Sequence, residues 1–558
     1  MKALKLRSVL LGTAALLAVA ATVTTIGPVS ANDKNSVTAA VDALPTKTPI
    51  KHLVVIFNEN VSFDHYFGHY PHALNVDGEP VFEPAKNTPA NINNYLSNPT
   101  LLDNNPNLNP LNGTGASNPF RLDRAQARTA DQGHGYGAEQ KAYDAGKADL
   151  FPLNTGNGTA GGAGTFGTTA QVMGYYDGNT VTAYWNYAQH YAMSDNAYSD
   201  QFGPSSPGAV NLFAGNTNGF VKVIGSSGLL ADGLGGFTLT GDTDPAGDVC
   251  SSTTATVKST AQNIGDLLNA ANVPWGSFVG GFNLQTVNAN GTTGCKRSTH
   301  SPVVGTQGDY IPHHIWFQYF DSTANPSHAR PASVQSIGLT NSAGGNTKDP
   351  ANHAYDLDDF FAAVGQGNYP AVSFIKLLAV QDGHPSNSSP LDEQTGVVQV
   401  INFLQAEGEW ESTAVIIAYD DSDGWYDHQI SPITQGSFSS SDALNGPGNC
   451  GILGVTPEPN GVKGLPVKGR CGPGTRQPFL VISPYAKKNY VSHVLISQAS
   501  IPQFIEDNWL NSQRLGGGSF DATTASVMDM LDFHDRGNSR RLILDPALGT
   551  VVNDEDNN

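Results

Sequence analysis

The sequence is short of charge, of cysteine and of several signatures that would fix its chemistry at once. Only 14% of its 558 residues are charged, and acids outnumber bases 49 to 29, a formal net charge of −20. A polyanionic backbone needs a basic footprint, so nucleic-acid binding is excluded as the main activity. The same balance disfavours general electrostatic capture by an anionic membrane. Four cysteines, Cys250, Cys295, Cys450 and Cys471, form no C-x-x-C pair, which makes zinc a poor reading. No G-x-S-x-G elbow occurs, against an acyl hydrolase of the Ser-His-Asp type. The glycine-rich stretch 156–167 lacks the Lys-Ser/Thr ending of a nucleotide loop. Beyond the N-terminal segment no apolar run has the length to span a bilayer, so no stable membrane anchor is expected.

What the chain does carry begins with a leader. Basic residues in Met1–Arg7, an apolar run from Ser8 to Val23 and a small-x-small site at Val29-Ser30-Ala31 read as a secretory signal peptide over residues 1–31. Losing Lys2, Lys5 and Arg7 with it takes the net charge from −20 to −23. A secreted or periplasmic protein is expected, and in that compartment two disulfides are the default. Of three connectivities, 250–295 and 450–471 are preferred, because each closes a local Gly/Thr/Asn-rich excursion. With 61 glycines and 34 prolines the chain is folded but loop-rich. Residues 32–558 read as a single domain with a β-rich insertion or cap at about 219–300.

Short β-branched and apolar runs at 50–57, 371–379, 413–419 and 477–484 predict buried strands. Helices are expected near 397–407 and 501–510, and an aromatic, core-packing helix at 184–191. Strands alternating with helices predict an α/β fold, a mostly parallel central sheet with helices on both faces. Functional groups in such sheets gather at the carboxyl ends of strands. Glu59 and Asn60 come directly after the first run, and Asp420 and Asp421 directly after the third.

The stretch Gly203-Pro-Ser-Ser-Pro207 reads as a turn into a helix, with Pro207 as the first helical residue. Its serines sit where free N–H groups and the helix dipole favour an anion. The plain alternative is an ordinary serine cap. Adjacent carboxylates repel, and a divalent cation is their usual relief. Carboxylates, an amide and a hydroxyl together suit a hard or borderline metal. His134, His313, His314 and His384 supply groups that bind a phosphate or protonate a leaving oxygen. The combination predicts a phosphoester hydrolase. A sugar- or peptide-binding exported protein, the non-enzymatic alternative, has no use for paired aspartates.

At these residues the chain resembles the secreted bacterial phosphoesterases that include acid phosphatases and phospholipases C, within the alkaline-phosphatase-like superfamily. The matching stretches are His52-Leu-Val-Val-Ile-Phe-Asn-Glu-Asn60, Ser62-Phe-Asp-His-Tyr-Phe-Gly68, Gly203-Pro-Ser-Ser-Pro207, Pro312-His-His314, Asp382-Gly-His-Pro385, Tyr419-Asp-Asp-Ser-Asp-Gly-Trp-Tyr-Asp-His428 and Arg476-Gln-Pro-Phe-Leu-Val-Ile-Ser-Pro-Tyr485. The resemblance implies a metal held by Glu59, Asn60, Ser205, Asp420 and Asp421. It implies Ser205, rather than Ser206, as a nucleophile that becomes a phosphoserine. His134, His313, His314 and His384 would contact phosphate, one of them protonating the leaving group. An acid-phosphatase-type monoesterase is expected first and a phospholipase C second, on small phosphate esters or phospholipids. Two departures lie beside the site: Pro207-Gly208 where the family often has Pro-Asn, and Ser422-Asp423-Gly424 where it often has His-Gly-Gly.

Overall fold

The chain is organised around β1 (His52–Asn58), whose seven residues are all buried. Leucine, valine, isoleucine and phenylalanine succeed one another there without polar alternation, as a strand covered on both faces requires. This computed structural model describes residues 37–554, apart from 226, 535–537, 539 and 540. The leader read at 1–31 lies outside the described residues.

Seven further strands join β1: β2 (Ala192–Ser194), β3 (Trp275–Val279), β4 (Ala354–Asp356), β5 (Val372–Lys376), β6 (Thr413–Tyr419), β7 (Phe479–Ile482) and β8 (Tyr490–Ser492). Their order is β4-β3-β5-β1-β6-β7-β2-β8. β1 pairs in parallel with β5 and β6, and β3 with β4 and β5. β7 runs against both its neighbours, while β8 is parallel to β2. The mostly parallel α/β sheet is therefore observed, with one reversed strand. The reason for the reversal lies between β6 and β7: residues 420–478 contain no helix to carry the chain back across the sheet. A connection without a crossover helix suits an antiparallel return.

Six helices matter for the site: α1 (Tyr136–Tyr143), α2 (Thr182–His190), α3 (Ser205–Ala214), α4 (Leu357–Gly365), α5 (Pro390–Ala406) and α6 (Ser500–Trp509). α5 starts seven residues before the expected 397 because Ser389 caps it, accepting from Asp392 N, with Pro390 at its first position. α3 starts at Ser205, not Pro207. Pro204 is extended and Ser205 and Ser206 fill the first two helical positions. Pro207 then sits in the first turn, where its missing N–H has no intrahelical acceptor to lose.

The segment 219–300 supplies a separate five-stranded sheet, and also β3 of the central sheet. Trp275, at the start of β3, is fully buried, and its indole donates to Asn269 Oδ1. The disulfides join Cys250 to Cys295 and Cys450 to Cys471.

Candidate functional site

β1 and β6 end side by side, Asn58 opposite Tyr419. The next residues along each chain segment, Glu59-Asn60 and Asp420-Asp421, are thereby delivered to one point, all of them buried. The first turn of α3 faces them. Ser205 Oγ lies 3.0 Å from Glu59 Oε2 and 3.0 Å from Asp421 Oδ2. Turned to suit its neighbours, the Asn60 amide donates to Glu59 Oε2 at 2.7 Å and Asp420 Oδ1 at 3.0 Å. α3 comes this close because residue 208 is glycine: a Cβ there would lie 2.1 Å from the Asp420 carbonyl oxygen.

The two serines are distinct. Ser206 donates its hydroxyl and its N–H to Asp242 Oδ1, both at 2.9 Å, and accepts from Tyr319 OH at 3.1 Å. It is a structural serine. Only Ser205 faces the carboxylates.

Four histidines run in a line beside this cluster. His313 and His314 have ring centroids 4.6 Å apart, His314 and His384 5.8 Å, and His384 and His134 6.2 Å. His314 Nδ1 is 2.8 Å from Glu59 Oε1. His134 Nδ1 is 3.1 Å from Asp423 Oδ1. His384 Nδ1 is 2.7 Å from the Pro385 carbonyl, which leaves Nε2 free to face the site. His313 is the outermost, partly exposed and 3.2 Å from Asp244. Every sequence-predicted residue is thus placed in one region, with Ser205 touching both Glu59 and Asp421 and His313 furthest out.

Sequence reasoning missed Lys376, the last residue of β5. Its ammonium pairs with Glu59 Oε1 and stands 4.0 Å from Asp420 Oδ2. The signal was a lysine ending an otherwise apolar strand. Burial opposes their charges, yet His314 and Lys376 hold Glu59 well below the carboxylate range. Burial also opposes the charge on Lys376, but Glu59, Asp420 and Asp382 keep its pKa raised. Burial, reinforced by Glu59 and Asp421, pushes Asp420 well up. Burial takes Asp421 to about 7, with Glu59 and Asp242 adding to it. Against burial, Glu59 and Asp382 lift His314 to about 9. Against burial again, Asp421 and Asp423 lift His134 well above its usual value. Burial and the neighbouring His314 lower His384. Along the histidines the carboxylates thus favour the charged form of His314 and His134, while burial disfavours it at His384.

Glu393, on α5, was missed as well. Its Oε1 accepts from Asn58 Nδ2 at 2.7 Å and Tyr419 OH at 2.8 Å, and its Oε2 from Tyr66 OH at 2.7 Å. It thus ties the last residues of β1 and β6 together just before the acidic pairs. Burial lifts it to about 7, against those hydrogen bonds. A carboxyl raised in the fold stabilises most below its unfolded value and loses that contribution as pH rises through the folded one. Stability should fall between about pH 4.5 and 7 by a component of about 3 kcal/mol. Glu393→Gln removes that component, so its midpoint-against-pH curve flattens relative to wild type. Parallel curves would mean that Glu393 is ionised throughout.

A covered parallel sheet, with a helix-start serine among buried acids at its strand ends, is the arrangement of an α/β ester hydrolase. More narrowly, the chain belongs to the Phosphoesterase family, whose sequence profile matches residues 50–510. It is 24% identical over 468 residues to the non-hemolytic phospholipase C of Burkholderia pseudomallei, covering 82% of this chain and 55% of that one. Against the hemolytic phospholipase C of Pseudomonas aeruginosa it is 21% identical over 481 residues, covering 82% and 52%. The chain thus spans about half the length of these curated relatives. A solved alkaline phosphatase superfamily protein from Vibrio parahaemolyticus aligns over 80% of this chain and 82% of its own. Its identity is 10% and its TM-score 0.27, too slight a likeness to carry functional weight.

Proposed function

We propose that the protein is an exported, metal-dependent phosphodiesterase of the phospholipase C type, with Ser205 as its nucleophile. The observation that carries this reading is the Ser205 hydroxyl, 3.0 Å from each of two buried carboxylates at the start of a buried helix. The sequence alone ranked monoesters ahead of diesters; the phospholipase C relatives favour the reverse order. No described helix is long and apolar enough to cross a membrane.

The donor set fits a divalent cation. Asp420 Oδ2 is buried and accepts no hydrogen bond, and the Lys376 ammonium, already paired with Glu59, stands 4.0 Å from it. Glu59, Asn60, Ser205, Asp420 and Asp421 would hold it. When bound, it lowers the pKa of a serine hydroxyl and offsets charge on phosphoryl oxygens. Ser205 gives its proton to Asp421 Oδ2, the acceptor 3.0 Å away, and its Oγ forms the new bond to phosphorus as the diacylglycerol oxygen leaves on the opposite side, giving a phosphoserine diester. His134 and His314, whose carboxylate neighbours favour their charged forms, bind the phosphoryl oxygens, and one of them supplies the proton that the leaving oxygen needs. His384, its Nδ1 proton held by the Pro385 carbonyl, offers Nε2 to take a proton from the incoming water. That water releases the phosphorylated head group, and the proton held by Asp421 returns to Oγ to restore Ser205.

The test compares initial rates on a chromogenic phosphate monoester and on its phosphocholine diester, with and without chelator. The diester should turn over faster, and chelation should abolish it, with recovery on adding divalent metal. A faster monoester moves the protein to the phosphatase branch. Full activity in chelator overturns the metal assignment.

A further inference from the structure

At the tip of the loop after residue 442 the apolar side chains turn outward, while Leu444 and Cys450 nearer its base are buried. Ile452 is 64% exposed, Leu453 73% and Val455 74%, three large hydrophobics within four residues. No charged residue occurs between Asp442 and Glu458. Large apolar side chains exposed this close together are what an interaction surface presents.

The tip is also built to hold its shape. Val455 N and Thr456 N donate to the Ile452 carbonyl at 2.9 and 2.8 Å. Ile452 N donates in turn to Thr456 Oγ1 at 3.0 Å, and Gly451 N to Asn445 Oδ1 at 2.7 Å. Gly454, at φ +79°, makes the turn. The Cys450–Cys471 disulfide fastens the base. Much of the tip's backbone is therefore hydrogen-bonded within the loop, which lowers the cost of leaving water.

Its base is fixed to the helix beside the site. Ala443 N and Leu444 N donate to Gln140 Oε1 at 2.9 and 3.2 Å, and Ala145 N to the Leu444 carbonyl at 2.7 Å. Gln140 belongs to α1, which starts two residues after His134.

We propose that residues 451–456 are a shallow anchor that seats the protein on a zwitterionic lipid surface; the proposal rests on the phospholipase reading. Charge selects the surface. A chain at −20 is repelled by anionic lipid, whereas neutral head groups impose no such cost on an uncharged tip. Apolar burial at the head-group boundary then supplies the attraction.

The experiment is flotation of the full-length protein with phosphatidylcholine vesicles, beside the variant Ile452→Ser/Leu453→Ser/Val455→Ser. The variant should bind vesicles at least roughly tenfold more weakly. Its turnover of vesicle lipid should fall in step, while turnover of the soluble phosphocholine diester stays at the wild-type level. Adding phosphatidylglycerol to the vesicles should weaken wild-type binding. Equal flotation of the two proteins, or a wild type that stays in solution, overturns the anchor. So does a wild-type dimer that the variant loses, because the tip would then be covered by a second copy. A wild type that floats through the tip but hydrolyses neither substrate leaves the anchor standing and removes the phospholipase reading.

Discussion

Ser205→Ala lowers kcat by roughly four orders of magnitude or more, with the fold intact. The hydroxyl is the only atom removed, and it faces Glu59 and Asp421 rather than any partner whose loss would loosen α3. Removing that donor leaves two buried acids one hydrogen bond poorer, a cost of about 1–3 kcal/mol that lowers the unfolding midpoint without unfolding the protein. Ser206→Ala is the matched control. That change deletes the bonds to Asp242 and Tyr319, costing about 1 kcal/mol of stability, and leaves the nucleophile in place. Rates of the two variants, with thermal midpoints confirming that both stay folded, separate a reacting serine from a capping one. A Ser205→Ala protein within tenfold of wild type would end the covalent route and leave the site as a metal-and-histidine centre acting through water.

The strand ends were legible because their signal is local. An uninterrupted apolar run that stops at Glu59-Asn60, and another at Asp420-Asp421, says both that the strand is covered and where its polar end lies. Nothing local says that these two ends are neighbours; that is a matter of sheet order. Lys376 and Glu393 escaped for the same reason. Each looks like an ordinary residue on its own element, a lysine closing β5 and a glutamate in the first turn of α5, and gains meaning only from the partner strands. Asp242 escaped too, since nothing local to it points to Ser206, thirty-six residues earlier in the chain. Gly208 was visible as a departure from the family pattern, and its reason is the close passage of α3 over the Asp420 carbonyl. β7 kept its sequence position and lost its expected direction, because direction depends on whether a crossover intervenes. Pattern placed the pieces; packing decided which ones meet.

Lys376→Met is expected to cost about 3–5 kcal/mol of stability in chelated protein, the usual penalty for stranding a buried charge. Its ammonium pairs with Glu59 and stands within 4.0 Å of Asp420, and both acids are buried. With the lysine gone, His314 still faces Glu59, but the remaining acidic charge must be neutralised by protons or by a bound cation. Those two routes differ in their response to conditions. Proton uptake makes the variant recover as pH is lowered, whereas a cation stabilises by mass action and makes the unfolding midpoint depend on metal concentration. The acidic cluster predicts both recoveries, with a larger metal-induced rise in midpoint for Lys376→Met than for wild type. Thermal unfolding in chelator, then across a series of divalent-metal concentrations, measures this directly. A chelated variant as stable as wild type would mean that Glu59 needs no lysine, and therefore that the cluster is already neutral without metal. A destabilised variant that gains nothing from metal would leave Lys376 as the cluster's own cation and remove the divalent site from the reading.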